Sequence, residues 1–265
     1  MNIYKRELKA HRKSLLVWSV SMFLLIAAGM GKYSAGIGAG AGSINEMVGQ
    51  LPKSLQNLFG IGVFDLSKAL DYFAVLFLYL ILLAGVHAVM LGAGILAKEE
   101  RDKTAEFLLV KPVSRGRILA AKLSAALTIA AVFNIVSFLS SAVMLSYYSK
   151  GTPFLTGLLK LNAGMLALQI LFVAAGAFFA AAIGSPKRSS AAATGVMLAM
   201  FMVYVVYHLV GKTSVARFFT LFQYFDAKDL LLGPYSAAYP VIAAVLLGLL
   251  VAGAFRFYNK RDMKI

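Results

Sequence analysis

Long apolar runs recur along this chain and leave few folds open to it. They fall at about 15–30, 70–97, 118–148, 156–183, 191–210 and 238–255. About 20 helical residues are needed to cross roughly 30 Å of hydrocarbon. In lipid the backbone must satisfy its own hydrogen bonds, which leaves helices or closed barrels. The runs are continuous and do not alternate apolar with polar, so helices are selected over a barrel. The expected fold is an all-α integral membrane protein with six transmembrane helices in a single domain. Composition agrees, with 60% hydrophobic and 14% charged residues, against about half and about a quarter in a soluble domain.

Charge sets the expected orientation. The net charge is +15, which in a soluble protein would suggest nucleic acid. Here positive-inside topology and anionic headgroups account for it without nucleic acid. Of the 26 Lys and Arg, 18 fall in the N-terminal arm, the Lys98–Lys122 stretch, the Lys187–Arg188 turn and the tail. That asymmetry predicts both ends on the cytoplasmic side (N-in, C-in), as an even number of spans requires. The basic start followed by Leu15–Ala28 has the look of a signal peptide. The long basic arm and the later spans point instead to an uncleaved first helix. No cysteine is present, which removes disulfides, thiolate metal sites and Cys nucleophiles.

Between the spans the chain has recognisable punctuation. Residues 1–14 pattern as an amphipathic interfacial helix, with Lys5, Arg6, Lys9, Arg12 and Lys13 on one face. Ile3, Tyr4, Leu8, His11 and Leu15 form the other face, with Glu7 beside them. Trp18 is a candidate interfacial anchor. Residues 31–69 form an expected outer loop, Gly-rich at first, with a surface helix over 44–59 that Ser43 caps and Pro52 breaks. The segment 184–190 is a tight basic turn, and 211–237 is too charged to span. Its Phe218, Phe219, Leu221, Phe222 and Leu230–Leu232 predict short interfacial or re-entrant helices on the outer side.

A search for chemistry finds no reactive constellation. His11, His87 and His208 lie outside any HExxH motif. Gly211-Lys212-Thr213 resembles the end of a phosphate loop, but Val206 stands where the pattern needs Gly. No catalytic, cofactor-binding or metal-binding residue is therefore expected. His87, Asn134, Gln169 and His208 are polar residues inside spans, where lipid makes them costly. They are candidates to line a translocation path, or else to bond between helices. Gly92, Gly94, Gly164 and Gly176 are candidates for close helix packing.

The cytoplasmic segment 98–117 carries the most information. Residues 103–110 can form a short helix with Phe107, Leu108 and Leu109 apolar, and Pro112 ends it. Ser114 can cap the following span. A short amphipathic helix held between two rigid spans makes a docking knob. A partner groove would take Phe107 and Leu108, with Glu99, Glu100, Arg101 and Glu106 at its rim.

The order Glu100, Lys103-Thr104, Leu108-Leu109, Pro112, Ser114-Arg115, Ile118 and Lys122 resembles the loop between spans two and three of ABC exporter permeases of the type-two (exporter-type) class. Lys103 stands where that family usually has Gly. Leu51-Pro52 followed by Leu58-Phe59-Gly60, the basic N-terminus and the closing Phe257–Asp262 stretch are also similar to such permeases. The resemblance covers essentially the whole chain. It implies a permease subunit without its own motor, paired with a separate ATP-binding cassette ATPase and with a second permease chain. ATP and Mg would then bind the partner subunit. The resemblance implies a coupling helix at 102–110, with contacts from Glu99, Glu100, Arg101, Thr104, Glu106, Phe107, Leu108, Pro112 and Arg115. It implies a smaller second contact at Pro186, Lys187 and Arg188, and a prokaryotic plasma (inner) membrane. The residues themselves leave open an ion-gradient-driven secondary transporter and a non-transporting scaffold or sensor. The first is weakened because no Asp or Glu lies deep in a span.

Overall fold

The computed structural model describes residues 3–38, 49–60, 62–101, 113–210 and 216–260, the side chains of 35–38 and 99–101 apart. The described residues form helices and no strands. Among the described residues, six helices are long and apolar enough to cross a membrane. The chain is an all-α, multi-pass membrane protein. We number its helices α1 (Ile3–Gly38), α2 (Lys53–Phe59), α3 (Ala69–Arg101), α4 (Arg115–Tyr148), α5 (Leu155–Ile183), α6 (Pro186–Val210), α7 (Leu221–Tyr224), α8 (Ala227–Leu232) and α9 (Ala238–Lys260). A single 3₁₀ turn, Ala216–Phe218, precedes α7.

Several helices run further than hydropathy implies. The amphipathic arm is not a separate element, because α1 continues through it into the first span. No Gly or Pro lies between Ile3 and Ala28 to interrupt the hydrogen-bond ladder. The arm's apolar face, with Ile3, Tyr4 and Leu8, packs on the protein's own core. Tyr4 reaches Thr128 of α4 at 3.0 Å. At its other end α1 carries on into the Gly-rich stretch as far as Gly38. Helix α3 likewise extends to Arg101, since Lys98, Glu99, Glu100 and Arg101 are good helix formers with no breaker among them. Pro52 is the N-cap of α2, and it separates that helix from helical backbone at Gly49. Ser43 and residues 44–48 lie outside the described residues.

Turn chemistry fixes the α5–α6 corner. Gly184 sits at φ 75°, ending α5 in the left-handed conformation that glycine adopts without strain. Pro186 then occupies the first position of α6, where its fixed φ suits a helix start and its missing N–H has no role. The basic turn is thereby absorbed into α6, which starts five residues before the apolar run at 191.

Helices α3 and α5 are the most buried of the six and form the centre of the bundle. They cross closely at Gly92 and Gly176. A Cβ on Gly92 would overlap the backbone of Val173, and one on Gly176 would overlap the backbone of α3 at Val89–Ala93. Gly94 has nothing near it, and Gly164 faces the side chain of Leu230. Around this seam pack Phe73, Phe77, Leu80, Ile95, Phe133 and Phe172, each almost fully buried.

Candidate functional site

The chain offers two polar assemblies, one at each end of the bundle. The first gathers the start of α1, the end of α3 and the start of α4. Lys122 is fully buried, and its Nζ donates to the backbone carbonyl of Ile95 at 2.6 Å. Burying a lysine is costly without such partners, so the bond fixes α4 against the last turns of α3. Glu7 is also fully buried. Its carboxylate meets Arg6 Nη2 at 2.9 Å, Lys98 Nζ at 3.8 Å and His11 Nε2 at 4.0 Å. The Glu7–Lys98 pair ties the N-terminal arm to the last turn but one of α3.

Ser114 is the N-cap of α4, its hydroxyl accepting from the Arg117 amide at 3.4 Å. Arg115 donates from Nη1 to the Asn259 carbonyl at 3.4 Å, linking the start of α4 to the end of α9. Arg101 and Val113, the described residues on either side of 102–112, flank this assembly. Thr104, Glu106, Phe107, Leu108 and Pro112 lie outside the described residues, as do Arg261 and Asp262. Glu99, Glu100 and Arg101 lie on the last turn of α3. Lys187 and Arg188 are exposed in the first turn of α6, and Pro186 is half-buried beside them.

The mid-span residues divide. His87 is buried between the rings of Trp18, at 5.4 Å, and Phe133, at 4.5 Å. Asn134 donates from Nδ2 to the Asn162 carbonyl at 3.2 Å and to Gln169 Oε1 at 3.3 Å, bridging α4 and α5. These three residues face the interior of the chain's own bundle, away from its exposed surfaces. His208 is elsewhere. It lies in the second assembly, around the far end of α6.

There, Tyr204 donates its hydroxyl to Asp226 Oδ2. His208 Nε2 and Gln223 Oε1 are 2.9 Å apart, and Gln223 Nε2 donates to Asp229 Oδ2 at 3.0 Å. Asp226 also caps α8 by accepting from the Lys228 amide at 2.9 Å. Burial, and then the neighbouring Asp226, raise the carboxyl of Asp229 above the usual aspartate range. This network anchors the loop 216–237, which dips into the bundle. Phe222 packs against Phe172 at 5.5 Å and Phe201 at 5.2 Å. Phe201 lies nine residues inside the end of α6, or roughly 14 Å at 1.5 Å per residue. The sequence flagged His208 alone. The spacing of Tyr204 and His208 one turn apart, and of Asp226 and Asp229 one turn apart, was the available signal.

Both assemblies lie on a six-span bundle of one protein family. The model described as ABC-2 family transporter protein matches residues 1–263. The chain belongs to the ABC-2 transporter family. A search of curated proteins gave no match. Family membership assigns this chain to the membrane-spanning part of ABC transport systems.

Proposed function

We propose that this chain is the permease subunit of an ATP-driven exporter in a prokaryotic plasma membrane. It works with a separate ATP-binding cassette subunit and a second permease chain, and the ends of α1, α3, α4 and α9 with the Glu7 and Lys122 contacts face the cytoplasm. The observation that carries this reading is the family match over residues 1–263, nearly the whole chain. The bracing at that end supports it. A docking segment transmits force only if both of its roots are rigid. Here the root in α3 is held by Glu7 through Lys98 and by Lys122 through Ile95. The root in α4 is capped by Ser114 and tied to α9 by Arg115.

On this reading, closure of the cassettes on ATP pushes the 102–112 segment. The push enters α3 and α4 as one unit, and α1 moves with them through Glu7. Alternating exposure of a path between two permease chains follows as a rigid-body change. ATP and Mg stay on the partner. Lys187 and Arg188 at the start of α6 supply a second, smaller contact.

The test is gentle purification of the chain from its native membrane. A P-loop ATPase is expected to co-purify, and Phe107→Asp is expected to lose it by placing a charge in an apolar groove. Substrate-stimulated ATPase activity should fall to the basal level in that variant. Recovery of the chain without an ATPase, in several detergents, would overturn the reading and favour a gradient-driven transporter or scaffold.

A further inference from the structure

The second assembly borders a cavity of about 400 Å³ between α2, α3, α6 and the loop 216–237. That volume is within the range of small-molecule sites. Its two sides differ in chemistry. One wall is apolar, with Leu58, Val63, Leu78 and Ile81. The rest of the lining includes Tyr204, His208, Gln223, Asp226 and Asp229.

The charges are sorted by depth. Tyr204 and Gln223 are buried, and the side chain of Asp226 is 11% exposed. The two lining cations, Arg217 and Lys228, are both exposed at the surface. Solvent screens them strongly, whereas the carboxylates act through a poorly screened interior. His208 Nε2 lies 4.0 Å from Asp226 and adds positive charge there only when protonated, and the side-chain donors hydrogen-bonded to the carboxylates, the Tyr204 hydroxyl and the Gln223 amide, are neutral. They orient the carboxylates without cancelling their charge. The inner wall therefore favours a cation. Tyr204, Tyr207 and Tyr239 add aromatic rings to the lining, and such rings attract organic cations through their faces.

We propose that this cavity binds an alkylammonium group carried on an apolar body. The ammonium lies against Asp226, Asp229 and the tyrosine rings, and the apolar part runs along Leu58, Val63, Leu78 and Ile81. Two sources present this chemistry, a free lipophilic amine and an aminophospholipid from the adjoining leaflet. They differ at the cavity mouth, where the phosphate of a lipid would meet Arg217 and Lys228 and a simple amine would not.

Binding can be read on the full chain alone, in maltoside micelles, so the result stands apart from any ATPase partner. The probes are decyltrimethylammonium, the uncharged decyl glucoside and short-chain phosphatidylethanolamine. A ligand that binds the folded chain raises Tm, by an amount that grows with the logarithm of its concentration above Kd. The cationic probe is expected to raise Tm and the uncharged one not. Asp226→Asn with Asp229→Asn should raise the concentration needed for a given Tm increase by about ten-fold or more, as loss of buried charge partners does. Should the double variant not fold, Asp229→Asn alone serves, because its amide oxygen still accepts from Gln223; a shift of about three-fold is expected. Arg217→Ala with Lys228→Ala should weaken phosphatidylethanolamine and leave decyltrimethylammonium unchanged if the lipid is the occupant. Saturable binding by the amine and none by the lipid assigns the site to free amines. Equal responses to charged and uncharged probes, or an unshifted response in the aspartate variants, would overturn the proposal.

Discussion

The two ends of the bundle use the same kinds of group to opposite effect. At the α1–α3–α4 end, Glu7 and Lys122 are fully buried, and charged groups close on one another or on backbone. At the α6–α8 end, Asp226 and Asp229 are hydrogen-bonded by the neutral Tyr204 and Gln223 side chains beside a cavity, with His208 4.0 Å from Asp226. A carboxylate among cations is a brace, since it has nothing left to attract. A carboxylate among neutral donors keeps its field. The difference separates an end whose charges are closed among themselves from an end whose carboxylates still face a cavity.

Both ends hang from the α3–α5 seam, so breaking the seam removes the comparison altogether. Gly92→Val should therefore have the largest effect. Its side chain would meet the backbone of α5 at Val173, which cannot give way as a side-chain tip can. The expected outcome is loss of the monodisperse, folded chain in size-exclusion chromatography. Gly94→Val, two residues along with nothing near it, should leave that peak intact.

Next in size is the brace. Lys122→Ala removes a buried stem and a charge-assisted bond to Ile95, and should cost about 3–5 kcal/mol. Lys122→Met keeps the stem and loses the polar contacts of the ammonium, and should cost about 2 kcal/mol. Thermal unfolding in micelles measures both. If Lys122→Met matched Lys122→Ala, the bond would dominate over packing. If it matched wild type, the brace would be an apolar contact and the contrast between the two ends would weaken.

The spans were legible in the sequence and the assemblies were not, for one physical reason. A membrane-length apolar run is a local signal, complete within its own residues. Ser114 is local too, a cap beside the helix it starts. Glu7 and Lys98 are 91 positions apart, and nothing in a basic arm announces that its lone carboxylate is its buried member. The same holds for His208, flagged as an intramembrane polar residue, whose meaning depends on Gln223 and Asp226 from another segment. The helix ends also ran past the apolar runs, because lipid sets hydropathy while breakers set helix length. Lys98–Arg101 and the N-terminal arm contain no breaker.

At the other end the effects shrink. Tyr204→Phe deletes the hydroxyl bonded to Asp226 and leaves the ring packed on Phe201 and Phe222. A bond to a charged group at a buried site suggests a loss of about 1.5–2 kcal/mol. Because an orienting donor is lost and the negative charge stays, the variant should destabilise the chain while still responding to decyltrimethylammonium. Loss of both together would mean that Tyr204 shapes the cavity itself, and the two roles would not be separable.

The smallest effect is a pH dependence, and it tests whether the carboxylates at the α6–α8 end are only weakly compensated. Burial and Asp226 raise the Asp229 carboxyl, while Gln223, Lys228 and His208 act against that shift. A raised folded value means that the stability tied to this group is fully present below the unfolded value, about 3.9. It is lost as pH rises through the folded value. Asn at 229 carries no such proton. Asp229→Asn should therefore have the higher Tm at pH 7, and its lead over wild type should narrow as the pH falls toward 4. His208 and Asp226 are common to both chains, so the difference between the two curves isolates position 229. A lead that stayed constant with pH would mean that Asp229 is as fully compensated as Glu7, and the two ends would then differ in shape but not in electrostatics.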